Sequence, residues 1–461
     1  MERKNAWTTY DSEDLKKVEQ VNRLYRDYLN AGKTERECVT ETIRIAEEHG
    51  YRDLTVVVAN GEKLQAGDKV YHAYMGRAIL LYHIGEDSIE TGMNILGAHI
   101  DSPRIDLKQV PVFEEKGLVY FDTHYYGGIK KYQWLSTPLS LHGILVRKDG
   151  TEVQIAIGEK EEDPVFVITD ILPHLGKEQN KKTANEFIEG EKLDLLVGTI
   201  PDNDEDKEAV KKAILTLIKD AYDVEEDDFL SAELQIVPAM NARECGLDKS
   251  MIMGYGQDDR VCAYTSLLAM LELEDVKRTA CCILTDKEEI GSVGATGMNS
   301  KLFENSVAEV MECTGEYSSL KLKRALAKSD MLSSDVSAAY DPLYAECFEA
   351  RNSAFLGQGM SFNKYTGVRG KSGSNDASPE FVADLRRIME ENQVVYQTAE
   401  LGKVDFGGGG TIAYLMAAYG MNVIDCGVPV LGMHALYEVT SKADIYETYK
   451  GYGVFLRKDN K

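Results

Sequence analysis

Residues 12–30 place Leu15, Val18, Val21, Leu24, Tyr25 and Tyr28 at the three-to-four spacing of one helix face, and 34–49 continue that spacing after Gly32. The chain therefore opens on two amphipathic helices. Asn94-Ile-Leu-Gly-Ala-His99 is an apolar run of strand length, ended by Asp101-Ser-Pro103, where proline blocks further pairing, so His99 falls at the carboxyl end of a strand. From about 105 to 240 the pattern shortens: 117–121, 141–146, 153–157 and 165–168 are β-type runs separated by turns, followed by an acidic stretch at 202–208 and a helix at 208–222. Beyond it, 259–273 reads as a helix with Val261, Tyr264, Leu267, Leu268 and Leu271 on one side. Next come a strand at 279–285, a helix at 295–304, a strand at 307–311, a loop through Ser333-Ser-Asp335, helices at 377–391 and 410–419, and a strand at 422–426 leading toward His434.

Strands alternating with helices predict an α/β fold with a mixed, mostly parallel sheet sandwiched by helices. The block of short strands predicts a mainly β domain inserted into it. The expected boundaries are 1–104 and 241–461 for the two parts of the α/β domain and 105–240 for the insert; at 461 residues, two domains are the expectation from size as well. In such sheets the ligand crevice lies beyond the carboxyl ends of the strands. His99, Glu288, Glu289 and Asp335 all follow strand-like runs, and Asp258 and Asp259 open a helix.

Those residue types fit a two-metal hydrolytic centre. Two divalent cations about 3.5–4 Å apart repel each other, so a site that holds both needs a bridging carboxylate. Imidazole and carboxylate are suitable zinc ligands, and His99, Asp258, Glu289, Asp335 and His434 supply them without cysteine. Hydrolysis also needs a base near the attacking water, which Glu288, beside Glu289, can provide. Singly, each piece has an ordinary reading: a hydrogen-bonded His-x-Asp pair, a helix cap at Asp258-Asp259, a solvated Glu-Glu. Their joint occurrence at strand and helix ends favours the metal reading. Serine chemistry is disfavoured because no Gly-x-Ser-x-Gly occurs. Gly370-Lys-Ser372 resembles the end of a P-loop, but Tyr365 stands where the loop needs glycine.

Composition narrows the partners. Fifty-two basic against 77 acidic residues give a net charge of −25, which repels phosphate backbones and anionic membranes, so neither nucleic acid nor membrane is expected as a partner. Eight cysteines without a CxxC spacing read as buried thiols of a reducing compartment. With no apolar leader and no apolar run of membrane-spanning length, the expected location is cytoplasmic.

Asn94 to Pro103, Gly256-Gln-Asp-Asp-Arg260, Thr285-Asp-Lys-Glu-Glu-Ile-Gly-Ser292, Ser333-Ser-Asp335 and Val428-Pro-Val-Leu-Gly-Met-His434 together resemble the M18 aspartyl-aminopeptidase family of dinuclear zinc peptidases. The resemblance implies that His99, Asp258 and Asp335 hold one zinc and Asp258, Glu289 and His434 the other, with Asp258 bridging. It further implies that Glu288 is the general base, that Asp101 accepts the second ring N–H of His99, and that the Asp258–Asp259 peptide is cis. It implies two metal ions per subunit, zinc first with cobalt and manganese as alternatives, and peptide substrates with a free N-terminus. It also implies a homo-oligomer, a tetrahedral dodecamer built from dimers through the insert, in which His174 reaches a neighbouring subunit's active site. The alternatives left open are a metal-dependent carboxypeptidase or deacylase, and a non-catalytic shell-forming protein.

Overall fold

The computed structural model describes residues 4–202 and 207–459 and divides the chain into two compact units. One comprises residues up to Asp101, Ala242–Met433 and Tyr437 onward; the other comprises Ser102–Asn241 with His434–Leu436.

The first unit is built on a nine-stranded sheet. Its order is Arg52–Asp53, Lys69–Tyr74, Ala78–His83, Ala280–Thr285, Asn94–His99, Asp330–Ser333, Asn422–Gly427, Met360–Asn363 and Tyr396–Thr398. The four central strands, from Ala280–Thr285 to Asn422–Gly427, run parallel, and antiparallel strands flank them on both sides. Central parallel strands are covered on both faces and so can be apolar throughout. Alternate residues accordingly feed two cores. Leu96, Ala98, Cys282, Leu284, Leu332 and Ile424 join a cluster with the helices Ser12–Ala31, Glu35–Glu48, Gln257–Leu271, Pro379–Glu391 and Lys442–Leu456. Ile95, Cys281, Ile283, Met331 and Val423 face Leu54–Ala59, Leu302–Cys313, Ser319–Ala327 and Ala413–Ala417. The first two helices start where the sequence caps them: Asp11 with Asp14, and Thr34 with Glu37, form reciprocal capping boxes.

A second sheet of this unit, Arg243–Cys245, Met251–Gly254, Glu438–Ser441, Pro429–Leu431 and Ser337–Ala338, has no counterpart in the sequence reading. Its strands are two to four residues long, too short to show a period. The strand expected at 307–311 is instead part of the helix Leu302–Cys313. Phe303, Val307, Val310 and Met311 are all buried there, at helical spacing. Most of the helix expected at 295–304 is the turn-rich segment before it.

The second unit contains a six-stranded antiparallel sheet in the order Glu152–Ile157, Leu139–Val146, Ala232–Pro238, Arg104–Glu115, Leu118–Tyr126 and Leu195–Gly198, with the helix Ala209–Tyr222. Residues 165–168 form no strand of their own; Phe166, Val167 and Ile168 make isolated bridges to Leu139, Leu196 and Leu135. Of the acidic stretch at 202–208, residues 203–206 lie outside the described residues.

Candidate metal centre

Strand register brings three parts of the chain to one edge of the large sheet. Thr285 pairs with His99, and Ser333 with Gly97, so the chain leaves the sheet at neighbouring points to form the segments carrying Asp101, Glu288–Glu289 and Asp335. His99, buried, turns Nε2 toward Asp258, whose Oδ1 is 3.2 Å away, with Glu288 Oε2 at 4.0 Å. Ligand atoms of His99, Asp258 and Asp335 all lie within 4.8 Å of one another, as do those of His99, Glu288 and Glu289.

Each of these side chains is placed by its backbone. Gly256, at φ 71°, begins the turn into the helix Gln257–Leu271, and the Asp258–Asp259 peptide bond is cis. Gln257 anchors this start: its Nε2 donates to the Glu438 carbonyl at 2.6 Å, and its Oε1 accepts from Tyr25 Oη at 3.2 Å. The backbone N–H of Asp258 donates to the carboxylate of buried Glu438 at 3.0 Å. Glu288 and Glu289 sit in the single 3-10 turn Glu288–Ile290, entered by Lys287 at φ 67°. Their backbone N–H groups donate to Asp101 Oδ1 and Oδ2 at 3.1 and 3.2 Å. His99 Nδ1 lies 3.0 Å from the carbonyl oxygen of Asp101 and 3.3 Å from Oδ1. Nδ1 thus has both the main-chain carbonyl and the carboxylate of Asp101 within reach, and the same carboxylate takes the two amides of the turn.

A family model described as aminopeptidase I zinc metalloprotease (M18) matches residues 28–456. The chain belongs to the M18 aminopeptidase family. The probable M18 family aminopeptidase 1 of Clostridium acetobutylicum is 57% identical over 456 residues, 99% of this chain and 98% of that protein. The crystal structure of an M18 aminopeptidase from Thermotoga maritima superposes with a TM-score of 0.94 at 44% identity, covering 99% of this chain and all of that one. The mApe1 dodecamer of yeast shares the fold, with a TM-score of 0.74 at 20% identity over 94% of this chain and 95% of that one.

The electrostatics of this M18 chain suit cations. Burial alone would lower the pKa of His99, but Asp101, Asp258 and Glu288 outweigh it and hold the imidazole well above its ordinary range. Burial raises Asp335, and the charges of Asp259, Asp258 and Glu288 raise it further; burial and Asp258 do the same to Asp259. So many carboxylates exceed what one imidazole can neutralise, and divalent cations would relieve the excess. The nearby thiol of Cys262 is pushed well above its usual value by burial and Asp259, so it is no thiolate donor. Nitrogen and carboxylate oxygen remain, a donor set that fits zinc.

His434 lies on the short segment grouped with the second unit. Its φ is 64°, and Nδ1 is 3.0 Å from the Gly128 carbonyl, so a proton on Nδ1 would make Nε2 the nitrogen able to meet a cation. A Cβ on Gly128 would lie 3.3 Å from that same Nδ1, so a side chain there would press the ring by a few tenths of an ångström. His174 is exposed, on a turn of the second unit. The sequence reading missed Glu438 and Gly128. The only signal for Glu438 was its place four residues after His434, and Gly128 gave none.

Proposed function

We propose that this protein is a dinuclear metalloaminopeptidase that removes N-terminal residues from peptides with a free α-amine. The observation that carries the reading is the single turn that sets Glu288 and Glu289 side by side next to His99 and Asp258. His99, Asp258 and Asp335 would hold one ion and Asp258, Glu289 and His434 the other, with zinc as the metal and cobalt or manganese as alternatives. When bound, such a pair lowers the pKa of water toward 7 and polarises the scissile carbonyl. Glu288 takes the proton from the attacking water and returns it to the leaving amine. Asp101 keeps Glu288 in place through the turn's backbone, and a carboxylate of the site receives the α-amine, which restricts cleavage to the first residue.

The assembly proposed is a homo-oligomer, a tetrahedral dodecamer of dimers joined through the β unit, with His174 reaching a neighbouring subunit's site; a dodecamer is recorded for the yeast relative of the same fold. Eight free cysteines accord with a reducing, cytoplasmic setting. Among the described residues no helix is long and apolar enough to cross a membrane.

Zinc-loaded enzyme assayed with aminoacyl anilides and with their N-acylated counterparts tests the reading. Cleavage of the free-amine series alone supports it; cleavage of the acylated series alone would make the chain a deacylase.

A further inference from the structure

Arg77 ends the turn between the strands Lys69–Tyr74 and Ala78–His83, more than 200 residues before Glu288 and Glu289. Its guanidinium nevertheless lies at the root of the turn carrying Glu288 and Glu289. Nε is 2.9 Å from Asp286 Oδ2, and a terminal nitrogen meets Glu35, the first residue of the second helix. Both carboxylates are fully buried, and the arginine side chain is 14% exposed, so this charge cluster is screened little by solvent.

Asp286 is the first residue beyond the strand Ala280–Thr285 and stands two residues before Glu288. Its Oδ2 also accepts from Thr296 Oγ1 at 2.6 Å, and a bridge from Asp286 to Gly297 closes the loop 286–297. Lys287 adds a more distant cation, its Nζ 3.8 Å from the same oxygen. The loop holding the 3-10 turn is therefore gripped twice. Asp101 takes the amides of Glu288 and Glu289, and Asp286 is pinned from below by Arg77 and Thr296.

We infer that Arg77 is a positioning residue for the M18 reaction: acting through Asp286, it fixes the turn that presents Glu288 and Glu289. The inference rests on the reading of Glu288 as base and Glu289 as ligand. Glu35 provides the internal control. It pairs with the same guanidinium but belongs to a helix, so its loss should cost stability without moving the turn.

The experiment compares Arg77→Met, Thr296→Val and Glu35→Gln in the full chain. It measures zinc affinity by chelator competition, kcat and KM on an aminoacyl anilide at saturating zinc, and thermal unfolding. Arg77→Met and Thr296→Val are expected to lose about tenfold or more in both zinc affinity and kcat with KM little changed, the scale seen when a ligand's supporting partner is removed. Glu35→Gln should melt earlier while keeping both values within about twofold of the parent. The inference is overturned if Arg77→Met and Thr296→Val stay within that range, or if Glu35→Gln loses as much as they do. Should Arg77→Met fail to fold, Arg77→Lys, which keeps a cation but not the Nε that meets Asp286, decides by the same criteria. Glu288→Gln is run beside them: turnover in that variant would remove the base assignment, while the zinc affinities would still judge Arg77.

Discussion

Replacing Asp101 by asparagine isolates what its carboxylate does. In the native structure each oxygen accepts one backbone N–H, from Glu288 at 3.1 Å and from Glu289 at 3.2 Å. Asparagine keeps one acceptor and sets an amide donor against the other N–H, so one charge-assisted hydrogen bond is lost and a buried donor is left facing a donor. A hydrogen bond to a charged group contributes about 1.5–3 kcal/mol, and an unmet buried donor costs about 1–3 kcal/mol. Part of this appears as lost stability of the metal-free protein, about 2 kcal/mol. The rest appears in the turn's hold on Glu289. At about 1.4 kcal/mol per decade the expected loss of zinc affinity is about 10- to 100-fold. Urea unfolding of metal-free protein and chelator-competition titration read the two parts separately. If Asp101→Asn unfolds at the parent's urea midpoint and binds zinc as tightly, the carboxylate does not hold the turn, and the argument from these hydrogen bonds fails.

Glu288→Gln should retain zinc and lose turnover by about 100-fold or more, as removal of a general base does; metal analysis alongside the anilide assay checks this, and an active variant refutes the role. His434→Ala should lose metal, seen as a lower zinc-to-protein ratio after dialysis, and a parent-like ratio would remove it from the ligand set. His83 sits buried in the strand Ala78–His83, where burial and then the charge of Lys69 push its pKa down to about 4. Folding therefore excludes a proton that the unfolded chain binds below about 6.5, so the folded state loses stability as pH falls from there toward 4. Between pH 7 and pH 4.5 His83→Leu should lose about 2–3 kcal/mol less than the parent in urea unfolding, and equal losses in both proteins would show that the ring is not held neutral.

Legibility from sequence followed the reach of each interaction. The helix Ser12–Ala31 and the strands Asn94–His99 and Ala280–Thr285 show in the local spacing of apolar residues because each buries a face set by its own period. The helix Leu302–Cys313 was missed although Val307, Val310 and Met311 keep helical spacing, because a five-residue window around valines also fits a strand. The candidate ligands were readable because strand ends and helix starts are themselves readable. The groups that aim them were not. Glu438 meets Asp258 across 180 residues, and Arg77 meets Asp286 across more than 200, and no local pattern encodes such pairings. His174 was named only through the family resemblance, because its own surroundings, an exposed turn of the second unit, carry no local signal.

The interleaved order of the large sheet bears on how the enzyme is made. Its central strands come from 280–285, 94–99, 330–333 and 422–427, so the earliest of them waits between partners synthesised nearly 200 residues later and more. At the base of that early strand, Asn94 Nδ2 donates to the carbonyls of Leu456 and Lys458. A nascent chain that has not yet reached 280–285 and 330–333 thus holds the strand Asn94–His99 without its two partners, and the carbonyls that anchor Asn94 arrive only with the end of the helix Lys442–Leu456 and the residues after it.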